Sequence, residues 1–181
     1  MKTQKLILAL LFAAFALVSC KKDPSPEGQG SMRVHMTDAP GDFKEVNVEV
    51  VAVEIKYNDG DSVNGWITLP TNAGVYDLLT LRDSVTALIA SGTALDPGKV
   101  NQMRLILGTN NTVVIDSVGT FPLTIPSGDK TGLKININQT IPIDQTLDIT
   151  IDFDAAASVI KTGEGDYKLK PVIKVKDVRV L

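Results

Sequence analysis

Apolar residues follow two regimes along this chain, one unbroken run near the start and strict alternation after residue 30. Leu6 to Val18 is continuous and apolar, yet shorter than the ~20 residues a helix needs to span a bilayer. From Ser31 onward, apolar positions recur at every second residue, the mark of strands with one face buried. In Glu45 to Tyr57, Val46, Val48 and Val50 share one parity while Val51, Val53, Ile55 and Tyr57 share the other. A bulge near Val50–Val51 reconciles the two sets, because one extra residue resets which side chains point inward. Burial of both faces is the competing arrangement.

Short strands are also expected at Gly65 to Leu69, Gly74 to Leu79, Val100 to Leu107, Thr112 to Asp116, Thr120 to Ile125 and Thr131 to Asn138. Gly108-Thr109-Asn110-Asn111 reads as a hairpin turn, since Gly and Asn tolerate positive φ. Leu147, Ile149, Ile151 and Phe153 alternate with Asp148, Thr150, Asp152 and Asp154, which places the acids on a solvated face. Tyr167 to Lys176 alternates in the same way, and Pro171 inside it marks an edge or bulged strand. One helix is predicted at about 81–91, from the capping box Thr80 to Asp83 and the spacing of Leu81, Val85, Leu88 and Ile89. A shorter helical turn is expected at Ala155 to Ile160. The whole predicts an all-β, mostly antiparallel single β-sandwich with Greek-key-like links.

Lys2 and Lys5 precede the apolar run, and Leu17-Val18-Ser19-Cys20 follows it, resembling a lipobox. On this reading residues 1–19 are a lipoprotein signal peptide and Cys20 carries the lipid. Residues 20–30, rich in Pro and Gly, are a polar tether, and 31–181 are the domain. Cleavage before Cys20 leaves 16 basic residues against 21 acidic, a balance of −5 with no basic tract. That excludes nucleic acid as a partner. Cys20 is the only cysteine, so lipidation leaves no disulfide, thiolate zinc site or thiol nucleophile. No cofactor is expected.

Candidate chemistry is sparse. His35, the sole histidine, is read as a strand residue, and no Gly-x-Ser-x-Gly elbow accompanies it. Gly92 to Val100 and Gly128 to Thr131 resemble phosphate loops only in part, and both read as turns. Asp59 and Asp61, within Asn58 to Gly65, offer oxygen donors at alternate positions, as a hard cation requires, but without the closing bidentate Glu. Asp38 and Asp42 flank a similar turn. Both pairs serve as a candidate ligand or calcium loop beside the plainer reading of solvated turns. Paired carboxylates also suit a glycosidase, although few aromatics remain to build a sugar platform. Asp61-Ser62-Val63, Asp83-Ser84-Val85 and Asp116-Ser117-Val118 repeat a triplet similar to an O-glycosylation signal, making Ser62, Ser84 and Ser117 candidate acceptors.

His35-Met36-Thr37-Asp38-Ala39-Pro40, Gly65-Trp66, Tyr76 to Leu81, Asn101 to Gly108 with Asn110-Asn111-Thr112-Val113, Ser127 to Lys134 and Gly165 to Val175 together resemble the bacterial lipoprotein family called domain of unknown function 4382. The resemblance implies a sandwich similar to transthyretin or carboxypeptidase regulatory domains, and it implies no reaction. The expectation is a non-enzymatic binding or adhesion module, anchored by lipid in the outer membrane and facing outward, with a glycan or protein partner. A structural or assembly component of an envelope or fimbria-like complex is the alternative, and a carboxylate-based hydrolase a distant third.

Overall fold

The computed structural model describes residues 28–39, 41–58, 65–126, 132–163 and 165–181. The signal peptide, Cys20, most of the tether, Asp59, Asp61 and Ser62 lie outside these residues.

Among the described residues, thirteen strands form two sheets around one core. The smaller sheet has the order β13(Ile173–Val180), β10(Thr146–Phe153), β1(Gly30–Thr37), β5(Ala87–Leu95). The larger runs β11(Val159–Lys161), β12(Tyr167–Leu169), β8(Gly119–Thr124), β7(Thr112–Ile115), β2(Glu45–Tyr57), β6(Gly98–Leu107), β9(Leu133–Ile141). β3(Ile67–Leu69) and β4(Gly74–Asp77) pair with β2 besides. Most pairings are antiparallel, as expected, but β1 runs parallel to β10 and β12 parallel to β8. The alternating apolar residues Leu147, Ile149, Ile151 and Phe153 of β10 face the core and are essentially inaccessible, as are Met32, Val34 and Met36 of β1.

β2 is the long strand on which the larger sheet is built, and its parity change is a bulge. Val46, Val48 and Val50 face the core, Val51 is exposed, and Val53 and Ile55 face the core again. The register against β6 slips between Val50 and Ala52. The extra residue lets a 13-residue strand keep one buried face.

Three expectations are overturned. The helix at 81–91 is absent: a 3₁₀ turn spans Leu78–Leu81, capped by the Asp77 carboxylate, and Ala87–Leu95 is β5. Asp83 and Ser84 both take positive φ, which ends any helical path. The edge of β1 then recruits the following residues as a strand. Gly108–Asn111 is not a hairpin either, because β6 and β7 both run antiparallel along β2, one after the other. Finally, Tyr167 to Lys176 is two strands in different sheets. Pro171 lies between β12 and β13, where its missing N–H is no loss, and the chain crosses from one sheet to the other. The edge part of that expectation stands, since among the described residues β13 pairs only with β10. The short helical turn is present as α1(Ala155–Ser158), and β11 follows it directly.

Candidate functional site

Two places combine chemistry with shape. The first is the end of the smaller sheet where β1 and β10 finish side by side, with Thr37 in register with Asp152. Asp38 leaves β1 with only 3% of its surface exposed. Its Oδ1 accepts the Ala155 N–H at 2.8 Å, the first helical amide of α1, while Asp154 Oδ1 accepts the Ala157 N–H at 2.8 Å. The one-turn helix is therefore capped from its own strand and from the neighbouring one. Asp152 is 4% exposed, and its Oδ2 meets Lys174 Nζ at 3.1 Å. Asp38 Oδ2 and Asp152 Oδ1 are shielded from solvent without a hydrogen-bond partner among the described residues. Burial pushes the Asp38 carboxyl up to about 6. The Ala155 and Ala39 amides oppose that rise, and the Asp152 and Asp154 charges add to it.

These contacts correct the picture of a solvated acidic face. Asp148 pairs with His35 at 3.3 Å, Asp152 with Lys174, and Asp154 is a helix cap. Each acid is used in holding strands or a turn together. Asp38 and Asp42, paired in the sequence reading, differ in exposure: Asp38 is buried and Asp42 is exposed. Among the described residues, no three His, Cys, Asp or Glu side chains gather as a metal site.

The second place lies where the larger sheet divides. Leu105 of β6 pairs with Leu133 of β9, whereas Thr112 of β7 pairs with Pro122 of β8. β9 and β8 thus leave the β6–β7 line on separate courses, and a cavity of about 490 Å³ opens between the end of β6 and β8. Leu107, Pro122, Leu123 and Ile125 supply apolar wall, and Gly108, Thr109, Asn111 and Thr124 supply polar groups. No described lining residue carries a titratable side chain.

Asn111, in the wall of this notch, is fixed from behind by Glu49 of β2, which is not itself a lining residue. The Glu49 N–H donates to Asn111 Oδ1 at 2.9 Å, and Asn111 Nδ2 donates to the Gly108 carbonyl at 2.8 Å. The Glu49 carboxylate accepts the Asn110 backbone N–H at 2.9 Å and its side-chain amide at 2.8 Å. The Asn110 N–H groups hold that carboxyl below its usual range. A Cβ at Gly108 would collide with the same carboxylate. Gly and Asn here serve a close approach to β2 and not a reversal of the chain. The four-residue signal was visible in the sequence; the wall from Pro122 to Ile125 was not, because only the splitting of the sheet brings it alongside.

Other candidates fall elsewhere. Every aromatic from Phe43 to Tyr167 is buried or half-buried. Arg104 lies 4.5 Å above the Trp66 ring and is ion-paired with Glu54, which leaves Trp66 a poor stacking surface for sugar. Ser84 and Ser117 sit on exposed turns.

No curated protein and no solved structure matches the chain. The family model described as domain of unknown function (DUF4382) matches residues 29–171, most of the two-sheet domain and every residue of both places described above except Lys174. The chain belongs to that family.

Proposed function

We propose that residues 31–181 form a non-enzymatic binding module, held in the cell envelope by lipid on Cys20, with its ligand site in the notch between β6 and β8. The observation that carries this reading is the lining. A cavity of about 490 Å³ falls within the ~300–1,000 Å³ of small-ligand sites. Its described walls offer apolar area and hydrogen-bonding groups but nothing to move a proton. An apolar peptide side chain or a neutral sugar derivative fits that lining. The lipid anchor rests on Leu6 to Cys20 alone, and outer-membrane placement facing outward extends the same reading.

The test is a thermal-shift screen of the detergent-solubilised protein against neutral oligosaccharides and short apolar peptides, repeated with Leu107→Trp to fill the notch. A ligand at 100 times its Kd stabilises by ~2.7 kcal/mol, and the Trp variant should lose that shift. A shift kept by the variant removes the notch from the reading, and no shift with any probe removes the binding module. For orientation, protease added to intact cells should digest an outward-facing domain and spare an inward-facing one.

A second reading, an assembly component, is favoured by β13, seven of whose eight residues are in register with β10 and which pairs with no second strand among the described residues. A free edge of that length can accept a partner strand. Crosslinking in native membranes would then give one stoichiometric neighbour.

A further inference from the structure

The triplet Asp-Ser-Val occurs three times in the chain, and both copies within the described residues sit on a four-residue turn, although Asp83 takes positive φ and Asp116 does not. Val85 N–H donates to the Arg82 carbonyl at 3.0 Å, and Val118 N–H donates to the Ile115 carbonyl at 3.1 Å. In each case Asp and Ser are the two central residues and Val closes the turn. The serine takes a left-handed backbone in both, with φ of 72° at Ser84 and 59° at Ser117. Serine is not what turn chemistry selects there. Gly, Asn and Asp are, and among the described residues the other left-handed non-glycine positions hold Asp83, Asn138 and Asp144, with Ala94 the one further exception.

The valines are equally out of place. Val85 is 51% and Val118 67% exposed, so a branched apolar side chain stands in water twice with no core to join. Neither serine hydroxyl makes a hydrogen bond among the described residues, in contrast with Ser158, whose hydroxyl is engaged by both Asp154 and Val172. The result is an acid, a free hydroxyl and an apolar knob displayed together at the tip of a tight turn, at two separate points of the surface. None of the three side chains joins the buried core, so all three are open to recognition by another molecule.

We infer that Ser84 and Ser117 are acceptor sites for a glycosyl group, added by an enzyme that reads the exposed Asp-Ser-Val turn. The class of group rests on the envelope placement proposed above. Outside the inner membrane no nucleoside triphosphate is at hand, and sugars on membrane-borne polyprenyl phosphates are the available activated donors. In the transfer, serine Oγ forms a bond to the anomeric carbon and the bond from that carbon to the phosphate oxygen breaks. The polyprenyl phosphate leaves, and the hydroxyl proton passes to a base of the transferase. Asp83 and Asp116 would orient the turn in the transferase and take no part in bond making.

The experiment is mass spectrometry of the full-length protein expressed in its native cells, with Ser84→Ala, Ser117→Ala, Asp83→Asn and Asp116→Asn beside the wild type. The expected result is a sugar-sized increment on each turn peptide of the wild type. Each serine variant should lose its own increment, and each Asp→Asn variant the increment of the adjacent serine, although the hydroxyl remains. Circular dichroism unchanged by the Asp variants would show that the loss is one of recognition and not of folding. Lipid on the Cys20 peptide with both turn peptides at their unmodified mass overturns the proposal and leaves the anchor standing. Increments of 80 Da overturn it in favour of a phosphoryl group, and absence of both lipid and sugar overturns the two readings together.

Discussion

At pH 7 the Asp38 carboxylate is ionised where its surroundings favour the proton. Its folded value of about 6 lies above the ordinary 3.8, so protonation stabilises the fold. That contribution is complete below pH 3.8 and is lost as the pH rises through 6. The shift sets a ceiling of roughly 3 kcal/mol. Chemical-denaturation midpoints should therefore fall between pH 4 and pH 7. Asp38→Asn keeps an Oδ1 acceptor for the Ala155 N–H and carries no charge, so it should flatten that dependence and be no less stable than wild type at pH 7. A wild-type profile flat from pH 4 to 7 would sink the argument. Gly108→Ala should be destabilising through Glu49, whose carboxylate its Cβ would displace from Asn110. In a Glu49→Ala background the penalty should shrink. A penalty unchanged by Glu49→Ala would place the strain in the backbone instead. Neither role was legible beforehand: Asp38 lies just beyond the end of its strand, where parity no longer says which way a side chain turns.

Among the elements, β2 shows what local pattern can and cannot reveal. Its bulge was legible because the apolar parity changes within one strand, between Val50 and Val51. The same feature makes a sharp test. Deleting Val51 turns Val53 and Ile55 outward in one step and should abolish cooperative unfolding, whereas Val51→Thr at a 47% exposed position should change stability by no more than ~0.5 kcal/mol. Circular dichroism melts distinguish the two, and a cooperatively folded deletion variant would contradict the bulge. β5 was misread as helix because Leu81, Val85, Leu88 and Ile89 coincide with helical spacing. What decides the outcome is the open edge of β1, which no local window contains. Thr37 ties that arrangement together, donating to the Leu81 and Val85 carbonyls at 2.6 and 2.9 Å. Thr37→Val should cost about 1 kcal/mol through the lost hydroxyl contacts, since the Leu81 carbonyl keeps the Asp38 N–H as a donor.

For the whole molecule, the sandwich class was legible from alternation and turns, while the parallel pairings and the collinear β6 and β7 were not. Both depend on partners far away in the chain. The anchor is tested at this scale too: Cys20→Ala should move the protein from the membrane to the soluble fraction or stall its export, and a variant still in the membrane would rule out lipidation at that residue. The parallel pairing of β1 with β10 also bears on how the chain assembles. Ser31 is matched with Thr146, and Thr37 with Asp152, so the first strand made is completed by one of the last. Loops of that length must close before their contacts repay the entropy, which makes such topologies slow to fold, in milliseconds to seconds. Until β10 arrives, Met32, Val34 and Met36 have no sheet partner on that side. If the chain is exported as proposed above, amino end first, it would hold its first strand open until the whole domain had crossed, and would lean on a holding chaperone for that interval.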